Sequence, residues 1–143
     1  MKAPRHDDDT ASKRPPAIRS ISAVTLSTAD MRRAVQFYET LGFRLRYGGG
    51  QSSFTSLAAG SNYLNLTAQS SDPKRSGWGR IIFYVSDVDA FYQHAIIHGL
   101  RPEAPPRDAT WGERYFHISD PDGHELSFAA PLGCHPPVPR TAW

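Results

Sequence analysis

The feature that most restricts the fold of this chain is an internal repeat. A shift of 57 residues lays Asp30 on Asp87, Met31 on Val88 and Gly42 on Gly99, and carries Leu41-Gly42-Phe43 onto His98-Gly99-Leu100. Each copy opens with a strand pattern, at 18–27 and 79–85, and continues into a helical stripe. In the first copy, Asp30 or Thr28 caps a helix whose apolar residues Met31, Ala34, Val35, Tyr38 and Leu41 recur at i, i+3, i+4 and i+7. In the second, Ser86 or Asp87 caps a helix carrying Val88, Phe91, Tyr92, Ala95 and Ile96. Gly42 and Gly99 stand where a left-handed residue ends a helix. Strands are predicted at 43–47, 52–58 and 62–67 after the first helix, and near 100–103, 114–118 and 125–129 after the second. The fold class is α+β: tandem β-α-β-β-β modules, 18–68 and 79–132, forming a curled mixed sheet around a cavity. One helix covers only one face of a four-stranded sheet. The other face must curl round a cavity or meet another copy.

The clearest hairpin runs from Trp111 to Leu132. Its turn, Asp120-Pro121-Asp122-Gly123, combines an Asp that bonds its own backbone, a Pro that pre-sets φ and a Gly that tolerates positive φ. Phe116, Ile118, Leu126 and Phe128 alternate onto one face, and Tyr115, His117, Glu125 and Ser127 onto the other. The first face suits a core and the second a binding site.

Composition excludes several classes. The formal charge of +2 is small and its basic residues are scattered, apart from Lys13-Arg14 beside the acidic run Asp7–Asp9, which argues against a nucleic-acid partner. No apolar run is long enough to span a membrane, and no secretory leader is evident. The single cysteine, Cys134, has no internal partner, so a cytoplasmic location is expected. Residues 1–17 read as a disordered arm, 18–132 as a single domain and 133–143 as a Pro-rich tail. His6 lies beside three Asp residues, but no rigid element orients them as metal ligands.

Taken together, Asp30, Phe37-Tyr38 and Leu41-Gly42-Phe43 in the first copy and Asp120-Pro121-Asp122-Gly123-His124-Glu125-Leu126 in the second resemble the vicinal-oxygen-chelate superfamily. That group holds glyoxalase I, bleomycin-resistance proteins, fosfomycin-resistance enzymes and extradiol dioxygenases. The resemblance covers about 18–132, nearly everything outside the tails. In metal-dependent members, each module supplies a ligand from its first and its last strand. On this chain the resemblance places those positions at Ala23, Asn65, Arg80 and Ser127. Ala has no donor, Arg repels a cation, and Asn and Ser are weak neutral ligands. A register error of one residue selects only apolar side chains. No metal and no cofactor are therefore expected.

Arg80 is predicted to enter the cavity with Ile82 and Tyr84, while Ile81, Phe83 and Val85 pack on the helix. A buried guanidinium needs an anion. That anion is either a carboxylate, phosphate or enolate of a ligand, or an internal partner, Glu113 or Glu125, unless Arg80 is simply exposed at the strand's mouth. His117 is the catalytic candidate; its other reading is a histidine bonded to Tyr115 or Asn65 without catalysis. His124 reads as structural. Trp111, Tyr63, Tyr84 and Phe54 supply aromatic surface. The sequence contains no nucleophile elbow, phosphate loop or paired-Cys motif.

The expected function is a metal-free small-molecule-binding protein of the glyoxalase/bleomycin-resistance type. An anionic or aromatic ligand would sit in the inter-module cavity, against Arg80, His117, Tyr115, Asn65, Trp111, Tyr84, Tyr63 and Ser127. Trp111-Gly112-Glu113-Arg114 resembles the bleomycin-resistance branch. The alternative is a glyoxalase- or dioxygenase-like lyase or isomerase that uses Arg80 and His117 in place of a metal. The resemblance also implies a homodimer, with no nucleic-acid or membrane partner.

Overall fold

The computed structural model describes residues 15–69 and 77–133. The first module comprises β1 (Ala23–Thr28), α1 (Met31–Thr40), β2 (Arg44–Tyr47), β3 (Phe54–Ala59) and β4 (Asn62–Ala68). The second comprises β5 (Arg80–Tyr84), α2 (Val88–Ile97), β6 (Arg107–Asp108), β7 (Glu113–Ser119) and β8 (Glu125–Pro131). Each folds into a four-stranded sheet, in the orders β1-β4-β3-β2 and β5-β8-β7-β6. In both, the first strand runs parallel to the last and the remaining pairs are antiparallel. Each module thus forms its own mixed four-stranded sheet, as the tandem β-α-β-β-β repeat predicts.

Both helices begin and end as local chemistry dictates. The Asp30 carboxylate accepts from Arg33 N at 3.1 Å and that of Asp87 from Ala90 N at 3.0 Å, each satisfying an orphan donor of the first turn. At the far ends Gly42 (φ 103°) and Gly99 (φ 83°) turn the chain back on itself. Phe43 N then reaches Tyr38 O at 3.0 Å, and Leu100 N reaches Ala95 O at 2.9 Å. These are six-to-one closures that need positive φ.

The predicted strand at 100–103 does not form, and the last helical closure consumes Leu100 N instead. Beyond it Pro102, Pro105 and Pro106 have no N–H to donate, so the chain bonds β7 once, from Glu103 N to His117 O, before pairing as β6. The first strand also starts later than its apolar pattern suggests, since Ile18 and Ile21 stay exposed. Most of the predicted arm and tail, including His6 and Cys134, falls outside the described residues, as does much of the loop before β5.

The helix-facing sides of the two sheets share one apolar core. Met31, Ala34, Val35, Phe37 and Tyr38 of α1 are buried with Leu26, Leu57, Leu64 and Leu66, and join Phe116, Ile118, Leu126 and Phe128 of the second sheet. Each large apolar side chain buried this way contributes roughly 1.5–3 kcal/mol. Across the module boundary Phe43 meets Phe83 edge to face, with ring centroids 5.1 Å apart.

Polar contacts lock the modules at the Asp120 turn. Tyr38 Oη donates to Asp120 Oδ2 at 2.6 Å, while Asp120 Oδ1 accepts from the backbone N of Asp122 and of His124. Ala29 N donates to Asp122 Oδ1, and the Arg33 guanidinium donates to Pro121 O. His124, almost fully buried, accepts from Trp78 Nε1 through Nδ1 and so donates from Nε2 to Ser27 O, both at 2.8 Å. The helix signature of one module and the turn signature of the other are thus bonded to each other.

Candidate functional site

Among the described residues, no helix packs on the opposite face of either sheet. On the first sheet strand alternation brings out Thr25, Ser56, Tyr63 and Asn65. Asn65 Nδ2 donates to Thr25 Oγ1 at 3.3 Å, and Arg46 lies over the Tyr63 ring at 5.2 Å and bonds its hydroxyl. On the second sheet the same alternation brings out Arg80, Ile82 and Tyr84 from β5, Ser127 from β8, and Glu113, Tyr115 and His117 from β7. Ile81, Phe83 and Val85 pack against the core, as alternation requires.

The second face is one connected polar and aromatic surface. Arg80 Nη2 donates to Glu125 Oε1 at 3.1 Å, with both side chains about one-third exposed. The guanidinium therefore has Glu125, one of the internal partners named from the sequence, as its anion. His117 shares a hydrogen bond with Ser127, through Nδ1 and Oγ, and its ring lies 4.9 Å from that of Tyr115. Tyr115 is stacked with Trp111 at 6.0 Å and 21° and carries Arg107 over its face at 4.9 Å, with Arg107 Nε bonded to Tyr115 Oη at 2.8 Å. Beneath these side chains Glu113 is fully buried and accepts from Trp111 Nε1 at 3.2 Å and from the Tyr84 hydroxyl.

Burial, reinforced by the positive charges of Arg80 and Arg107, holds His117 below the usual imidazole range; Glu103 and Glu125 oppose this. A neutral imidazole at this position can accept or deliver a proton. Ser127 is fully buried beneath it, so the hydroxyl is no accessible nucleophile.

The structure thus groups Arg80, Tyr84, Trp111, Tyr115, His117 and Ser127 on one face. Asn65 and Tyr63 lie on the other sheet, and their hydrogen bonds stay within it. The cleft between the modules is a separate space of about 450 Å³. It runs between β1, which pairs only with β4, and β5, which pairs only with β8, and is lined chiefly by Val24, Leu41, Phe43, Ile81, Phe83 and Phe91. Of the eight residues expected to bind ligand, Tyr63 and Tyr84 reach its wall.

Two members of the second face escaped sequence reasoning as site residues. Glu113 precedes Tyr115 and His117 at the strand period of two, a signal that was present and that places all three on one face. Arg107 lies among prolines that read as loop, and only the β6–β7 pairing brings it over Tyr115.

The four positions at which the family resemblance places metal ligands fall on these faces opposite the helices, Ala23 and Asn65 on the first sheet and Arg80 and Ser127 on the second. Among the described residues no group of three or more His, Cys, Asp or Glu could hold a metal ion. An alanine, an ion-paired arginine, an amide and a buried hydroxyl do not fit a divalent cation. No helix among the described residues is long and apolar enough to cross a membrane.

Comparison with known proteins agrees with the architecture. Solved structures that superpose on this chain include a glyoxalase/bleomycin resistance protein/dioxygenase from Nocardioides, with a TM-score of 0.71 and 20% identity over 94% of this chain and 98% of that one. A bleomycin-binding protein complexed with bleomycin gives a TM-score of 0.64 and 24% identity over 79% and 98%. TioX from Micromonospora sp. ML1 gives 0.65 and 26% over 80% and 100%. A comparison with curated protein sequences gave no match. The family model described as the Glyoxalase/Bleomycin resistance protein/Dioxygenase superfamily matches residues 20–128, and the chain belongs to that superfamily.

Proposed function

We propose that this protein binds a small anionic or aromatic molecule without using a metal. The observation that carries the reading is the second-sheet face, where Arg80, His117, Tyr115, Trp111 and Tyr84 lie side by side and the positions of the family's ligands lack suitable donors. Tyr84 belongs both to this face and to the wall of the apolar cleft, so a ligand at their junction can place a ring beside Tyr84 and an acid toward the arginines. A second copy of the chain is proposed to cover this face. In support, β1 and β5 are edge strands among the described residues, and edges of this kind are normally covered in native proteins. Bleomycin is bound by one structural neighbour, and a small-molecule role here is in keeping with that.

A second reading, a lyase or isomerase, rests on His117, whose imidazole is held toward its neutral form by burial and by the charges of Arg80 and Arg107, the same charges that would favour an enolate. Elemental analysis separates both readings from a metalloenzyme. The purified, dialysed protein is expected to hold no stoichiometric zinc, nickel, manganese or iron and to bind 2-naphthoate equally well in the presence of a chelator. A stoichiometric metal, or binding abolished by the chelator, would overturn the metal-free reading.

A further inference from the structure

Arg80 and Arg107 both reach the second-sheet face, but they are not equally available. Arg80 is engaged by Glu125. A ligand acid that takes it must displace that carboxylate and leave a negative charge beside its own. Arg107 is exposed, and no carboxylate among the described residues lies within ion-pair distance of it. Its position is nonetheless defined. Nε is spent on Tyr115 Oη, and the guanidinium lies over the Tyr115 ring at 4.9 Å. Arginine has five N–H donors in a planar fork, so the two terminal groups remain for an oxyanion.

The ring that supports Arg107 is itself stacked with Trp111. Trp111 is held in turn by its bond to the buried Glu113, which also takes the Tyr84 hydroxyl. Arg46 lies over Tyr63 on the first sheet in a similar way, but among the described residues no second ring stacks there. Among the described residues, only the second face places a cation with no carboxylate partner beside a stacked aromatic pair.

Resting on the proposed function, we infer that Arg107 rather than Arg80 is the anion anchor of this site, and that the ligand is a planar aromatic oxyacid. Its carboxylate, phosphate or sulfonate meets the Arg107 fork, and its ring lies against Trp111 and Tyr115. Arg80 and Glu125 form the wall of the site by satisfying each other.

The test is calorimetric titration of the full chain with 2-naphthoate and with 2-naphthol, which keeps the ring and removes the acid. Native protein is compared with Arg107→Ala, Arg107→Lys and Arg80→Ala, and thermal unfolding checks that each variant is folded. Losing a charge-assisted fork is expected to weaken naphthoate binding by Arg107→Ala about tenfold or more, with naphthol binding altered less than about twofold. Arg107→Lys, which keeps the charge without the fork, should recover only part of the affinity, and Arg80→Ala should leave it within about threefold. Loss on Arg80→Ala with none on Arg107→Ala would overturn the inference and leave this face as the binding site. Naphthoate binding that is unchanged in both variants would remove the face from consideration altogether, as would no binding by native protein at millimolar concentration.

Discussion

The two modules share a plan and differ in what they do with it, most visibly at paired helix positions. Tyr38 in α1 corresponds to Ala95 in α2, and both are fully buried. Tyr38 fills its position and reaches Asp120 in the other module, whereas Ala95 reaches nothing polar. Glu39 and Thr40 at the outer end of α1 correspond to Ile96 and Ile97 on α2, which are 45% and 75% exposed. Phe37 and Leu41, both buried, correspond to the exposed His94 and His98. The first module therefore carries much of the core and the interlock. The second, relieved of part of that duty, carries the charged and aromatic face.

The largest effect that would test this division is at Tyr38. Tyr38→Ala removes a fully buried ring and the Asp120 bond, and is expected to destabilise the protein by about 3–5 kcal/mol in chemical denaturation. At the corresponding place in α2, Ala95→Gly removes only a methyl group and costs roughly 1 kcal/mol through helix propensity. If the two costs proved equal, the modules would share the core evenly and the division would fail.

Acid separates the interlock at Asp120 from the charged and aromatic face at His117 by sign. Burial raises the Asp120 carboxyl above its ordinary range, against the opposing hydrogen bonds from Tyr38 and the backbone. The folded state therefore takes up this proton more readily than the unfolded chain. The contribution of Asp120 to stability grows as pH falls from its raised value toward the ordinary value of 3.8. His117 has the opposite sign. Its depressed value means that the unfolded chain binds the proton more readily, so its contribution is lost as pH falls through 6.5 toward the folded value. Denaturation midpoints measured across pH should show Asp120→Asn losing the first dependence and His117→Gln the second. Arg80, Glu103, Arg107 and Glu125 surround His117, so each midpoint series must be read against native protein at the same salt. Identical pH profiles for native protein and both variants would contradict these assignments.

The smallest expected effect is on the outer side of α2. Ile97→Thr restores the residue found at the matching place in α1, and is expected to change stability by less than about 0.5 kcal/mol, because the side chain is mostly exposed. A loss of several times that in the same denaturation assay would mean that Ile97 is covered in solution.

Much of the fold was legible because it is written in short-range chemistry. The caps at Asp30 and Asp87, the glycine closures at Gly42 and Gly99, and the alternation through β4, β7 and β8 each depend on neighbours within about one helical turn. The same alternation correctly placed Arg80, Tyr84, Tyr115, His117 and Ser127 on one face. The expectation that Asn65 and Tyr63 join them in one site had no such support, because one module's strand pattern says nothing about where the other module sits.

What the sequence alone determined is therefore the repeat, its elements, and which side of each strand faces the helix. Only the tertiary structure decided that Arg80 meets Glu125, that β6 brings Arg107 over Tyr115, and that Tyr38 of one signature meets Asp120 of the other across 82 positions of chain. The first two depend on which strands pair, and in what register, within the second sheet. The third depends on how the two sheets dock, which is set by the complementary packing of a shared core rather than by local propensity.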